Sequence, residues 1–410
     1  MPRAVSLLLN LAHAIDHLFL LIFATAVGAI ALDFGLARWE DLMPYGAGAF
    51  LLFGLGSLPA GKLGDQWGRR QMMLVFFFGM GASALLIAAT QGPWTMAAAL
   101  TLMGAFSSIY HPVGIPMLVQ QAKNPGAAIG VNGLAGNLGI AAAAILTGFL
   151  VAHAGWRAAF LVPGLACLAA GLLFWRLAPR ETEPPAQRTR KAAVQLAPGQ
   201  LARVLAVLTI ASAASGLIFN LTTNGNGQML NERLAALVTD PSTLGLLLGA
   251  VYAVASVAQV VVGRLIDRYP LKPLWLAVVA AQVPMLALAA IAPGWWAWLG
   301  LLGSMIVIFG SIPFTDATIV RYVDDRMRSR VAGLRLAISL AISSSAVWAL
   351  GPAVKAAGFD TLFVVMAGVA LFSAAVLWLL PGEPARPRAD ATPALAHPPA
   401  AASPEPTSGR

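Results

Sequence analysis

Twelve long apolar segments, separated by short polar ones, make up most of the chain. Their approximate bounds are 5–32, 43–63, 71–90, 94–118, 126–152, 157–178, 201–230, 243–265, 273–291, 295–320, 331–354 and 359–381. An α-helix needs roughly 20 residues to cross a bilayer, and these segments are of that order. Since the bilayer interior offers the backbone no water, such segments are expected to be helices. The pattern predicts an all-α membrane protein with twelve transmembrane helices.

The composition supports a membrane protein. The chain has 59% hydrophobic and 10% charged residues, whereas soluble domains have about 45–50% and 25%. The net charge of +9 would suggest nucleic-acid binding in a soluble protein, but here the basic residues lie between the apolar segments. That placement is typical of a topological signal, and no nucleic-acid partner is expected.

The distribution of lysine and arginine predicts the orientation. Threading the chain from a cytoplasmic N-terminus puts most basic residues on the cytoplasmic side, and only four fall on the other: Arg38, Arg157, Arg233 and Lys355. This bias follows the positive-inside rule. We therefore expect a multi-pass protein of the cell inner membrane with both termini in the cytoplasm.

Polar segments divide the chain into four parts. A proline-rich and basic stretch at 179–200 separates two sets of six helices, and an Ala/Pro/Ser-rich stretch follows the last helix. The predicted parts are a six-helix lobe (1–178), a cytoplasmic linker (179–200), a second six-helix lobe (201–381) and a disordered cytoplasmic tail (382–410).

An internal repeat relates the two lobes. Gly61-Lys62-Leu63-Gly64-Asp65-Gln66-Trp67 recurs 202 residues later as Gly263-Arg264-Leu265-Ile266-Asp267-Arg268-Tyr269. A second similarity pairs Phe106–Ile109 with Phe309–Ile312 at an offset of 203. The repeat predicts two pseudo-symmetric six-helix bundles, an arrangement of transporters that place the binding site between their halves.

The segment after the second helix resembles the signature of the major facilitator superfamily. It consists of Gly61-Lys62-Leu63-Gly64-Asp65-Gln66-Trp67-Gly68-Arg69-Arg70. The resemblance implies that Asp65 latches the cytoplasmic side in the outward-open state, and that Gly263 and Asp267 belong to a degenerate second copy. Asp65 is also placed to pair with Arg69, Arg70 or a helix N-terminus. The alternative is that these charges only anchor a cytoplasmic loop.

Within the superfamily, three features are similar to the fosmidomycin-resistance-like branch: Tyr110-His111-Pro112, Gly136-Asn137-Leu138-Gly139 and a His/Asp cluster in helix 1. Two departures bear on mechanism. Helix 4 lacks the arginine usual before the glycine that corresponds to Gly104. Helix 5 lacks the Gly-Pro of drug/proton antiporters.

Helix 1 carries three ionisable residues at mid-depth: His13, Asp16 and His17. The spacing i, i+3, i+4 places them on one helical face. Ionisable side chains inside a membrane are rare and commonly functional, and imidazole changes its charge near neutral pH. We expect this cluster to couple transport to protons. The alternative is a hydrogen-bonded patch that joins helix 1 to its neighbours.

Four further polar residues complete the predicted cavity. His111 precedes Pro112, where a kink would free backbone carbonyl groups. Asn220 and Asn224 lie in a polar, glycine-interrupted stretch of helix 7, which indicates either a half-broken helix beside a binding site or an early exit from the membrane. Asp316 lies near the cytoplasmic end of helix 10. It is expected either to form an ion pair with Arg321 that anchors the loop or to act as a gate.

The chain lacks a Walker A sequence, an H-E-x-x-H motif and a G-x-S-x-G motif. We expect no enzyme activity, no cofactor and no metal site. The predicted function is secondary active transport of a small organic solute by alternating access in a monomer, coupled to protons, with export or exchange favoured. The alternatives are an uptake symporter for a metabolite or organic anion, and a non-transporting membrane receptor or assembly factor.

Overall fold

The computed structural model describes residues 2–120, 122, 125–180, 198–323 and 325–382, and the described part is helical without strands. We number the spans in chain order. Eight of them are single helices: α1 Arg3–Asp33, α3 Arg69–Ala88, α5 Pro125–Ala154, α6 Trp156–Leu177, α7 Pro198–Arg233, α8 Pro241–Arg268, α9 Leu271–Ile291 and α10 Gly294–Tyr322.

The other four spans are interrupted or joined. The pieces of α2 are Trp39–Leu42, a 3₁₀ turn at Met43–Gly46, Ala47–Leu55 and Ser57–Trp67; those of α4 are Pro93–Ser107, a π-helical turn at Tyr110–Gly114 and Ile115–Gln120. Helix Asp325–Leu377 breaks at Gly358 into α11 (325–357) and α12 (359–377).

Twelve spans result from this arrangement. Ten helices of the described residues are long and apolar enough to cross a membrane, and α2, bent by 44° between Leu55 and Ser57, is an eleventh. The break at Gly358 divides one of the ten into two. The predicted twelve-helix, all-α class is therefore confirmed.

Two bundles of six helices have matching packing. In the first, α1 packs on α5, α2 on α4, and α3 on α6; in the second, α8 packs on α10, while α7 and α9 pack on the α11–α12 pair. The turns at Gly155 and Gly358, 203 residues apart, have nearly the same conformation, with φ of 80° and 75°. Only glycine adopts that φ readily. The repeat seen in the sequence is thus also present in the backbone.

The bundles touch closely on one side of the molecule, which we call the closed side. There Lys355 Nζ contacts Asp41 Oδ1 at 2.5 Å, and the rings of Trp39 and Phe359 stack with centroids 6.0 Å apart. A Cβ added at Gly351 would lie 2.2 Å from the carbonyl oxygen of Glu40. Only glycine allows α11 to approach α2 so closely.

The other side, which we call the signature side, contains the turn between α2 and α3 at Gly68. There a Cβ added at Gly130 of α5 or at Gly263 of α8 would meet no atom within 4 Å. The bundles therefore separate on the signature side and leave an opening between them.

The four basic residues that the sequence assigned to the closed side all have acidic partners. The pairs are Arg38–Glu40, Arg157–Asp33, Arg233–Asp360 and Lys355–Asp41. The closed side also holds Asp240, which caps α8; hydrogen bonds from Thr243 lower the pKa of this carboxyl group. Positive charge on the closed side is thus largely neutralised by ion pairs.

Candidate transport cavity

A cavity of about 1020 Å³ lies between the two bundles and opens on the signature side. Its first wall comes from α1, α2, α4 and α5, and its second wall from α7, α8, α10 and α11. Seven polar residues of the walls enter the argument below: His13, His17, His111, Asn132, Asn220, Thr223 and Ser343. Most other lining residues are apolar, as is usual for sites that bind small organic molecules.

Asp16 lies directly behind the first wall. It is fully buried, and Ser107 Oγ on α4 donates a hydrogen bond to its Oδ1. Its Oδ2 has no hydrogen-bond partner and lies 3.6 Å from Nε2 of His111. A buried carboxylate with a free oxygen is costly unless it is protonated or paired, and here the nearest ionisable partner is an imidazole.

His13 is held by three helices at once. Its Nδ1 lies 2.7 Å from the carbonyl oxygen of Asn132 on α5, and its ring stacks on Tyr110 of α4 with centroids 4.8 Å apart. The Tyr110 hydroxyl donates to the carbonyl of Leu9 at 2.8 Å and accepts from Asn132 Nδ2 at 2.6 Å. The ring of His13 therefore has a fixed orientation.

Close approach of α5 allows this arrangement. A Cβ added at Gly136 would lie 2.7 Å from ring atoms of His13, and one added at Gly139 would lie 2.2 Å from the carbonyl oxygen of Ala14. Glycines at small-residue spacing let helices pack backbone to backbone. Here they leave room for the imidazole between α1 and α5.

His111 reaches the cluster through the irregular part of α4. The chain from Tyr110 to Gly114 forms a π-helical turn that contains Pro112, because proline removes a helical hydrogen bond and clashes with the preceding turn. The ring of His111 then lies edge-on to that of His13, with centroids 5.0 Å apart. The structure thus brings together the four ionisable residues that the sequence singled out in helices 1 and 4.

The second wall is built from neutral polar groups. Asn220 Nδ2 donates to Ser343 Oγ and to the carbonyl of Gly216, both at 2.8 Å. Thr223, one turn further along α7, also lines the cavity. No ionisable side chain lies at this depth of the second wall among the described residues.

One alternative for helix 7 is wrong. The stretch from Asn220 to Gln228 does not break the helix, because α7 is continuous to Arg233. Its polar side chains are buried against neighbouring helices, where Asn226 donates to Tyr252. Asn224 is among them: it is 2% exposed, its Nδ2 bonds the carbonyl of Asn220, and it does not line the cavity.

The mouth of the cavity carries the charges of the second repeat. Arg264 and Asp267 on α8 and Asp316 on α10 line the opening. Arg321, the expected partner of Asp316, donates a hydrogen bond to the carbonyl of Ile266. That contact ties the end of α10 to α8.

The signature segment is helical up to Trp67, not a loop. Gly61–Trp67 belongs to the last piece of α2, and only Gly68, with φ 95°, turns the chain. A Cβ added at Gly64 would lie 2.8 Å from Val113, so this glycine packs α2 on α4.

The charged residues of the signature have different partners. Asp65 lies 4.0 Å from Arg69. Arg70 instead donates to the carbonyl groups of Trp175 and Ala178, at 2.6 and 2.8 Å, where α6 ends. Cations are favourable at helix C-termini, so Arg70 caps a neighbouring helix.

Sequence reasoning missed Asn132, Tyr110 and Ser107, which hold the first wall together. Tyr110 adjoins His111, and Asn132 lies between the glycines of helix 5, so both signals were present. The role of these residues depends on contacts between helices far apart in sequence, such as the hydrogen bond from Asn132 Nδ2 to Asn10 Oδ1 at 2.9 Å.

The two helical bundles enclose a cavity that is open on one side and closed on the other. This arrangement defines a two-lobed membrane transporter fold. The sequence profile of the Major Facilitator Superfamily matches residues 9–229 and 210–406. The chain belongs to this superfamily, whose matched members are transporters and not enzymes.

Curated relatives include a probable transporter and a multidrug resistance protein. The chain is 30% identical to the "Probable actinorhodin transporter" of Streptomyces coelicolor over 37% of this chain and 27% of that protein. It is 24% identical to "Multidrug resistance protein MdtG" of Citrobacter koseri over 80% of this chain and 82% of that protein. The matches to the first two curated relatives cover only 27% and 26% of the relatives' length.

Solved structures share the fold. An inward-facing bacterial homolog of the human lysosomal transporter Spinster superposes with a TM-score of 0.73 at 15% identity, over 92% of this chain and 96% of that chain. The inward-open xylose transporter XylE of E. coli gives 0.73 at 14% identity, over 93% and 96%.

Proposed function

We propose that this protein is a secondary active transporter that moves a small organic solute by alternating access, with export or exchange favoured and protons as the coupling ion. The observation that carries the proposal is the cavity of about 1020 Å³ between the bundles, open on one side only. Its volume suits a drug-sized ligand, since binding pockets span roughly 300–1,000 Å³.

Alternating access is supported by how the bundles meet. On the closed side, the bundles meet through the exposed ion pair Lys355–Asp41, the Trp39–Phe359 stack and the close approach of Gly351 to Glu40. The exposed ion pair contributes only about 0–1 kcal/mol. At the glycine contact no side chain of α11 interlocks with α2, so rocking of the bundles as units would open the closed side to the solute.

Two observations favour export: the chemistry of the cavity walls and the names of the relatives. The surface of the cavity is mainly apolar, with polar side chains distributed along both walls. Two relatives are named for export or resistance: a tetracenomycin C resistance and export protein and a multidrug resistance protein. A gallate transporter of Pseudomonas putida, 27% identical over 43% of this chain, keeps uptake of an organic anion as the second candidate.

A proton gradient is the proposed energy source. The chain has no Walker A motif for nucleotide hydrolysis, and the first wall places the Asp16 carboxyl group behind three imidazoles that face the cavity. A coupling group must exchange protons with the two sides in turn. Asp16 is fully buried, and His111, which lines the cavity with its Nε2 3.6 Å from Asp16 Oδ2, would connect it to the cavity.

The protein is proposed to be a monomer in the cell inner membrane, with the signature side in the cytoplasm. The basic residues of that side support this orientation. The linker 179–200 and the tail 382–410 would then be cytoplasmic; most of the linker and nearly all of the tail lie outside the described residues. Ser403→Cys in a Cys167→Ser background should resist an impermeant thiol reagent in intact cells, and labelling from outside would overturn the orientation.

Counterflow in proteoliposomes tests the transport proposal. Solutes are first selected by their stabilisation of the purified protein, since a ligand that binds only the folded state raises its stability. Vesicles loaded with unlabelled solute should then accumulate the labelled solute transiently, and an imposed pH difference should drive net flux. Stabilisation without counterflow would indicate a receptor. Flux directed only into right-side-out vesicles would indicate uptake.

A further inference from the structure

Three histidines converge at the deep end of the cavity. His13 and His17 lie one turn apart on α1, and His111 comes from the π-helical turn of α4. One ring nitrogen from each of them lies within 4.8 Å of the other two. We call this group the tri-histidine cluster. Three imidazoles on two helices are a typical ligand set for a divalent transition metal.

The distances are close to those of a metal centre. Nε2 of His13 and Nε2 of His17 are 3.1 Å apart. Two nitrogens that bind one zinc ion at about 2.0–2.1 Å in tetrahedral geometry are ~3.4 Å apart. The pair on α1 already has this spacing, and His111 needs a shift of roughly an ångström, which a rotation of its side chain can provide.

The surroundings of the cluster resemble the outer shell of a metal site. Nδ1 of His13 lies 2.7 Å from the carbonyl oxygen of Asn132, so the proton of the neutral ring belongs on Nδ1 and the lone pair of Nε2 points into the cluster. Asp16 Oδ2 lies 3.6 Å from Nε2 of His111. Metal-binding histidines usually donate their second N–H to a backbone carbonyl or a carboxylate.

The cluster is accessible on one face. All three rings line the cavity, and the His111 side chain is 30% exposed. An ion can therefore enter from the signature side. Three protein ligands also leave one position for an external donor, as in open metal sites.

We propose that His13, His17 and His111 bind one divalent transition-metal ion such as Zn²⁺, with a fourth coordination position open to the cavity. The bound ion would take an oxygen or nitrogen donor of a solute at that position. The site goes beyond the proposed transport function and does not depend on it, because metal binding is measured on protein in detergent without any flux.

Binding is tested in a variant that contains no other histidine. The chain has five histidines, so His153→Ala with His397→Ala leaves only the cluster. This protein, purified with a tag free of histidine and stripped with a chelator, should bind one Zn²⁺ per chain in equilibrium dialysis. Adding His17→Ala should weaken binding at least about tenfold, since one of three ligands is lost. Equal Zn²⁺ content with and without His17 would overturn the site.

Spectroscopy on the same protein gives a second test that needs no cluster variant. X-ray absorption at the zinc edge should count three imidazole ligands, and fewer would overturn the proposal even if His17→Ala fails to fold. Co²⁺ in place of Zn²⁺ should give visible bands that change when azide is added. Bands that azide leaves unchanged would refute the open position. Transport failure in vesicles would leave both results unaffected, so the two proposals fail separately.

Discussion

The two walls of the cavity derive from one repeat but differ in chemistry. The repeat offset of 203 relates His13, Asp16 and His17 of α1 to Gly216, Phe219 and Asn220 of α7, all three of which line the cavity. The first wall thus has ionisable groups at the positions where the second has a glycine, an aromatic ring and an amide. A duplicated scaffold has kept its packing while the chemistry of its two walls diverged, with ionisable side chains in one and neutral polar groups in the other.

The largest effect is expected from removing the carboxylate of the first wall. Asp16→Asn keeps the shape of the side chain but cannot exchange a proton, so accumulation driven by a pH difference should fall by a factor in the range of about 5 to 150, typical of coupling energies. Exchange at equal pH should persist, because it needs only reorientation of the loaded carrier. Both are measured in proteoliposomes.

Asp33→Asn is the matched control for this prediction. Asp33 lies at the end of the same helix and pairs with Arg157 on the closed side, so accumulation should remain near the level of the unaltered protein. Full pH-driven accumulation in Asp16→Asn would assign the ionisable cluster a structural role.

The next largest effect is expected from displacing His13 without altering it. Gly136→Ala puts a methyl group within 2.7 Å of ring atoms of His13, and overpacking of this kind costs about 1–3 kcal/mol. Thermal stability and solute affinity should both fall. Gly130→Ala, on the same helix and facing open space, should be neutral or stabilising by up to ~1 kcal/mol. Equal behaviour of the two variants would contradict a fixed ring.

A smaller and different effect is expected on the second wall. Asn220→Ala removes the bond to Ser343 and one polar contact for a solute, which corresponds to about 0.5–1.5 kcal/mol, or a loss of affinity of roughly twofold to thirteenfold. Titrations with solute should show this loss, whereas the ratio of accumulation to imposed pH difference should not change. A change in that ratio would mean that the walls share the coupling role.

The smallest effect is expected from replacing the aspartate in each of the two copies of the signature. Asp65→Asn removes a contact to Arg69 that is long, 4.0 Å, and exposed at the carboxylate, and exposed pairs contribute about 0–1 kcal/mol. Turnover in vesicles should slow up to about fivefold while solute affinity is kept. Asp267→Asn, at the equivalent place in the second lobe, should slow it less. The reverse order would make the second copy the functional latch.

Much of the fold followed from the sequence because a bilayer restricts the chain to few solutions. The number of spans, the two bundles and the grouping of four basic residues on one side needed only segment length, a repeat and a charge count. Helix 7 was misjudged for a physical reason. Amides such as Asn224 and Asn226 suggested a break, but they bond to neighbouring backbone and side-chain atoms within an intact helix.

The site could be predicted only in part. The spacing in α1 identified His13, Asp16 and His17, whereas their relation to His111, 94 positions from His17, depends on a π-helical turn at Pro112 that no local pattern specifies. The sequence therefore indicated no metal site. Two histidines at i, i+4 are too few ligands by themselves, and the third becomes visible only when α4 is packed on α1.

The contact between Gly136 and His13 also restricts how the protein can evolve. Any side chain at position 136 would occupy the space of the imidazole, so replacing the glycine while the histidine remains lowers stability. Divergence at these sites is easier when it begins with a smaller residue at position 13. Among relatives, a histidine there is therefore expected to be inherited together with glycine at 136, and lineages that have lost the ring are expected to vary freely at both.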